Sequence, residues 1–164
     1  LTHSLTHSLT HSLTHAHTHA LTHSLTHSLM SHFLVGLMYG FAARLGDGYI
    51  AEGGEPLVFT DVITNVGNDY DPTTGLFHPP VHGLYEFSVT AHNNNDIEDF
   101  VIYITVSGSQ VCYADLYSDE TYNSASCTTV VELTTDQYVY VTPSSDCDLY
   151  PYSYFSGHLI QAYE

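Results

Sequence analysis

Tryptophan and lysine are absent from this chain, and arginine occurs once, as Arg44. Against that single cation stand eighteen Asp and Glu, for a net charge of −17. A field of that sign repels phosphate backbones and anionic lipid heads, which argues against nucleic-acid partners. Without lysine or a second arginine, phosphoryl transfer has no electrostatic clamp. The longest apolar run, within 29–40, is too short to span a bilayer. No basic residue precedes it, so it makes a poor secretory leader, although a remnant of one would look similar. Phosphate-binding loops, Gly-x-Ser-x-Gly and His-Glu-x-x-His are all missing. His78, His82, His92 and His158 are scattered singly, and the chain reads as non-enzymatic.

Charge is also missing in one region. Residues 1–43 hold no Asp, Glu, Lys or Arg, and residues 1–29 are Leu-Thr-His-Ser repeats. The tetranucleotide CTCA repeated encodes Leu-Thr-His-Ser, so the tract reads as a translated microsatellite, with the true start expected at Met30 or elsewhere. The alternative is metal capture. On a helix, His3, His7, His11 and His15 would stack on one face. Thr, Ser and His are mediocre helix formers, however, and nothing caps the segment. The expected division is a low-complexity tract with a short apolar segment at 1–38, then one folded domain at 39–164.

From Tyr39 onward the chain is patterned for strands. In 84–91, Tyr85, Phe87, Val89 and Ala91 fall on one face and Glu86, Ser88 and Thr90 on the other. Expected strands cover 40–45, 57–64, 84–91, 100–106, 110–114 and 153–161, with a hairpin from 126–134 and 137–142. The run 100–106 is apolar enough to be buried on both faces. Loops are expected at 46–56, 92–99, 115–124 and 143–152. Asp71-Pro72-Thr73-Thr74-Gly75 is a turn, because Pro presets φ and Gly accepts φ > 0. Short strands between turns, without helical periodicity, give an all-β sandwich or jelly roll.

Phe59, Asn65, Tyr70, Gly75, Phe77, Gly83, Tyr85 and Phe87 stand at fixed spacings across this region. Their pattern resembles the signature of the complement C1q globular domain family, departing from it in having Val89 where an aromatic is usual. The closing Ser153-Tyr154-Phe155-Ser156-Gly157-His158-Leu159 is similar to that family's ending. Leu133-Thr134-Thr135-Asp136-Gln137-Tyr138-Val139 resembles its Leu-x-x-Gly-Asp-x-Val, with Thr135 in place of Gly. The same jelly roll serves the tumour necrosis factor family, but the closing segment favours the C1q side. The resemblance implies a head-only member without the collagen stalk, or a fragment of a longer one, secreted and extracellular. It also implies a homotrimer, with Tyr85, Tyr103 and Tyr140 in the core or between subunits, and in some relatives bound Ca²⁺.

Three cysteines remain. The flanks of Cys112 and Cys127 suggest adjacent antiparallel strands closed by a disulfide; Cys127 with Cys147 is the rival pairing. Fourteen tyrosines are many for this length, and Tyr117, Tyr122, Tyr150 and Tyr152 lie in or beside expected loops with Asp119. An aromatic ring can stack on the apolar face of a sugar while a carboxylate accepts its hydroxyls. Asp115, Asp146 and Asp148 are the candidate Ca²⁺ ligands, since hard cations take loop carboxylates and carbonyls. The leading expectation is a lectin-like pattern-recognition module of innate immunity, binding carbohydrate or another surface ligand. The alternatives are a calcium- or other divalent-metal-binding secreted protein and a cytokine-like receptor ligand.

Overall fold

Alternation is what builds the structure. Strand β6 (Gly83–His92) is buried at every second residue, with Tyr85, Phe87, Val89 and Ala91 inward. The computed structural model describes residues 38–47, 49–93, 99–117 and 123–163. The repeat tract and the apolar segment up to 37 lie outside them. Besides β6, the chain forms β1 (Gly40–Arg44), β2 (Tyr49–Ala51), β3 (Asp61–Val66), β4 (Tyr70–Asp71) and β5 (Leu76–Phe77). It continues with β7 (Phe100–Val106), β8 (Ser109–Leu116), β9 (Ser124–Leu133), β10 (Val139–Pro143), β11 (Cys147–Leu149) and β12 (Tyr154–Ala162).

Two five-stranded antiparallel sheets face each other, β3-β1-β12-β6-β9 and β4-β5-β10-β7-β8. Their inward residues make one core: Phe41, Phe59, Tyr70, Phe77, Tyr85, Phe87 and Phe155 are all buried. Phe41 stacks on Tyr70 at 4.5 Å and meets Phe155 edge-on at 4.9 Å. Such aromatic pairs add to the stabilisation already given by burying apolar area.

The fixed spacing of the signature residues has a local cause. Asn65 Nδ2 donates to Tyr70 O at 2.8 Å, and Asn65 Oδ1 accepts from Tyr70 N. Tyr70 Oη in turn accepts from Phe59 N and donates to Phe59 O. A buried phenol thus satisfies a strandless backbone segment, whose polar groups burial would otherwise leave unpaired. Gly75 has φ +76°, and a Cβ there would run into Leu57 O. Gly157 is buried where Phe87 and Phe41 cross over it, so a methyl group would overlap the Phe87 ring.

Several expectations are corrected. The segments 126–134 and 137–142 do not form a hairpin. Strand β9 pairs with β6 in one sheet and β10 with β7 in the other, so the 134–138 connection crosses the sandwich. The two segments are consecutive β patterns separated by a short polar stretch, which a hairpin would also show. The apolar run of β7 is not buried on both faces, since Val101 and Tyr103 are half-buried. The expected strand over 57–64 begins at Asp61. The loops at 46–56 and 143–152 contain β2 and β11, which pair with each other. The loop expected from 115 begins later, because β8 runs to Leu116.

The disulfide joins Cys112 and Cys127, with Cα atoms 6.1 Å apart. Its strands are not paired neighbours. Strand β8 is the edge of one sheet and β9 the edge of the other, so the bridge closes the open side of the sandwich. Cys147 is free and buried; burial, then the charges of Asp148 and Asp146, pushes its thiol up to about 12. It therefore stays protonated at neutral pH and is a poor nucleophile.

Burial also raises Asp69 above the ordinary carboxylate range, and its Oδ2 has no hydrogen-bond partner. A carboxyl raised in the folded state supports the fold when protonated and opposes it once pH climbs through the raised value. Asp69→Asn is therefore expected to melt higher than the parent at pH 7, with the gain vanishing below the normal carboxylate range. Thermal melts across pH check this; a gain that persists unchanged at low pH would contradict it.

Candidate functional site

The described surface contains a cleft of about 710 Å³ at one end of the first sheet. That volume is in the range of small-ligand sites. Arg44, the last residue of β1, faces Asp61, the first of β3, and Nη2 donates to Oδ2 at 2.6 Å. Gly46, Asp47 and Thr60 line the cleft beside them, together with Tyr150, Pro151 and Tyr152 of the β11–β12 turn. The pair is partly exposed, at 40% and 47% for the two side chains, so it contributes little to stability. Its use lies elsewhere: it offers guanidinium donors and carboxylate acceptors side by side. Arg44 Nε is shielded from solvent and has no partner.

The tyrosine wall is held rigidly. Ser153, 1% exposed, donates its N–H to Tyr150 O, and its carbonyl accepts from Leu45 N. Its hydroxyl oxygen accepts from His92 N at 2.9 Å, and Tyr150 N donates to His92 O. This clamp fixes the turn between β11 and β12 from three sides. On it stand the rings of Tyr150 and Tyr152, 5.4 Å apart and inclined by 43°. Tyr152 is 60% exposed, so its ring is available to a ligand. Thr60 Oγ1 donates to Leu45 O, tying that residue to the same segment.

The cleft is at the far end of β1 from Tyr39, where the described chain enters the sandwich. Leu159 N donates to Tyr39 O and Tyr163 N to His82 O, so the chain enters and leaves the sandwich at the same end. In the register of β1 with β12, Gly40 pairs with His158 at that end and Arg44 with Tyr154 at the other.

Of the residues expected from sequence, Tyr150 and Tyr152 come together here. Tyr117 follows β8 of the other sheet, its carbonyl accepting from Asn123 Nδ2. Asp119 and Tyr122 lie outside the described residues. Asp146 Oδ1 accepts from Gly53 N at 2.9 Å, a structural role in the β2–β11 corner. Asp148 is on β11, while Asp115 is exposed on β8 opposite Val101. Among the described residues no three His, Cys, Asp or Glu stand close enough to hold a metal. Sequence reasoning missed Arg44, Asp47, Thr60 and Asp61. The available signal was Arg44 itself, one cation among eighteen acids.

Comparison with known proteins places this architecture. Residues 41–160 match the C1q domain model. Complement C1q tumor necrosis factor-related protein 3 of Mus musculus is 37% identical over 65 residues, covering 40% of this chain and 26% of the relative. The Homo sapiens protein of that name is 36% identical over 55 residues, 34% of this chain and 22% of its own. The match thus spans about a quarter of these relatives. Among solved structures, the globular domain of zebrafish complement 1qA superposes with a TM-score of 0.67 at 19% identity, over 77% of this chain and 100% of that one. Eiger TNF from S. frugiperda superposes at 0.60 and 14% identity, over 78% of this chain and 94% of the other. No helix among the described residues is long and apolar enough to cross a membrane. The signature and closing segment, the two-sheet topology and the domain match lead to one conclusion: the chain belongs to the C1q domain family.

Proposed function

We propose that this domain is a secreted, non-enzymatic recognition head that binds neutral carbohydrate in the Arg44–Tyr152 cleft, as a homotrimer, in innate pattern recognition. The observation that carries the proposal is the clamped tyrosine pair sharing one cleft with the Arg44–Asp61 pair, at the end of the sandwich away from Tyr39 and Tyr163. A pyranose ring has an apolar face for Tyr152 and hydroxyls that need both donors and acceptors. The net charge of −17 disfavours sialylated, sulfated or phosphorylated glycans.

The outer face of the first sheet suits a partner copy. Its centre is small, with Ala42, Ser156 and Ser88 side by side in register. Around it Val66, Val130, Ile160 and Tyr154 are exposed. Small central side chains let a second sheet approach closely, and the apolar rim supplies area to bury.

Glycan-array binding by the oxidised protein, with light scattering on the same sample, tests this reading. The expected result is a trimer with signals on neutral glycans, retained when residues 1–38 are deleted. A monodisperse monomer, or signals confined to anionic glycans, would contradict it. Loss of signal in EDTA would show that the binding depends on a divalent cation such as Ca²⁺. The fold shared with Eiger TNF favours a second reading, a cytokine-like ligand for a cell-surface receptor. A blank array together with saturable binding to intact cells would support that reading.

A further inference from the structure

Tyrosines line a second surface, on the outer face of the sheet β4-β5-β10-β7-β8. Val139 and Val141 of β10 point into the core, which leaves Tyr138 and Tyr140 outside, their rings stacked at 5.7 Å. On β7, Ile102 and Ile104 are inward, and Tyr103 is outside. Tyr103 pairs directly with Tyr113 of β8, which is 66% exposed. Tyr140 pairs with Thr105 and Thr142 with Tyr103, so Tyr140 and Tyr103 are diagonal neighbours, a spacing of about 7–8 Å between residues. Thr105 and Thr142 face outward yet are buried and share a hydrogen bond. The rings beside them form their cover. The result is an aromatic band crossing three strands diagonally.

The charge around the band has one sign. Asp115 is exposed two residues beyond Tyr113 on the same strand face, and Asp136 is exposed just before Tyr138. No lysine exists in the chain, and Arg44 is on the other sheet. A sugar is served by neutral donors and acceptors, and the donors beside the band are the phenols and the His78 ring against Tyr138. A guanidinium needs a ring face and a carboxylate, and the band offers both. We propose that this tyrosine band docks an arginine-rich, extended segment of a partner protein, with guanidinium groups stacked on Tyr140, Tyr103 and Tyr113 and paired with Asp115 and Asp136. The site is separate from the cleft and does not rest on the glycan reading.

Fluorescence anisotropy with a labelled peptide of alternating Arg and Gly, titrated with the full oxidised chain, tests it. A Lys-Gly peptide of equal length is the control. The Arg peptide is expected to bind several-fold more tightly than the Lys peptide. Tyr113→Ser and Tyr140→Ser should each weaken it about fivefold, the scale of one exposed cation–π contact. Tyr113→Phe keeps the ring and should keep the affinity, and Tyr152→Ser in the cleft should change nothing. Equal affinity for both peptides, indifferent to Tyr113→Ser, would reduce the attraction to diffuse charge and overturn the proposal. Displacement of the peptide by a neutral glucan hexamer would assign the band to glycan instead. A change of oligomeric state in Tyr113→Ser would make it a contact between copies.

Discussion

Phe155→Ala is expected to be among the most damaging single substitutions in the domain, costing about 3–5 kcal/mol. Phe155 is fully buried and touches the rings of Phe41, Phe59, Tyr70 and Phe87, with centroids from 4.9 to 6.3 Å. Removing it leaves a cavity between the two sheets, walled by side chains that are themselves pinned. Tyr70 cannot move into the gap without breaking its hydrogen bonds to Phe59 and Asn65. Gly157 beside it allows no compensating shift of Phe87, whose ring already rests on the glycine. Urea midpoints for Phe155→Ala and Phe155→Leu measure the effect. Leucine should recover a large part of the loss, because it refills much of the volume. A cost below about 1 kcal/mol for the alanine variant would mean that the sheets collapse onto the gap, which a pinned core does not allow.

Loss of the Cys112–Cys127 bridge is expected to cost about 3 kcal/mol, from the entropy of a loop of about this length in the unfolded chain. The two cysteines are 15 residues apart. The location suggests a further consequence. The bridge joins the two edge strands at the open side of the sandwich, so its loss should expose β8 and β9 to hydrogen exchange before the β1–β12 side. Replacing both cysteines by alanine and comparing denaturation with and without reductant checks this. The parent should weaken in reductant and the double variant should not respond. Cys147 should remain unlabelled by thiol reagents in the folded protein, because its sulfur is buried and protonated. Equal stability of the parent with and without reductant would contradict the assigned role.

Most of the core was legible because its signal is local. The alternation in β6 and the spacing of Phe59, Asn65 and Tyr70 are properties of short stretches, and the structure converts them into sheet faces and a hydrogen-bonded lock. What sequence could not show depends on pairings between distant segments. Strands β2 and β11 are three residues each, in acidic loops, and become strands by pairing across nearly a hundred residues. The connection after Leu133 resembles a hairpin turn, and only the partners of β9 and β10 reveal that it crosses between sheets. The site divides in the same way. Tyr150 and Tyr152 were visible as aromatics in a loop, but the cleft they form needs Arg44 and Asp61, which reach it from two other strands. The strand holding Tyr113 was ended two residues early because Asp115 suggests a loop, whereas β8 extends to Leu116.

The central claim is that the cleft between Arg44 and Tyr152 does the recognising. Tyr152→Ala removes an exposed ring and no buried contact, so the variant should keep the melting temperature and assembly of the parent. Measured on the same glycan array, it should lose most of the neutral-glycan signal, while Tyr113→Ala on the opposite sheet retains it. Undiminished binding by a correctly assembled Tyr152→Ala protein would contradict the account.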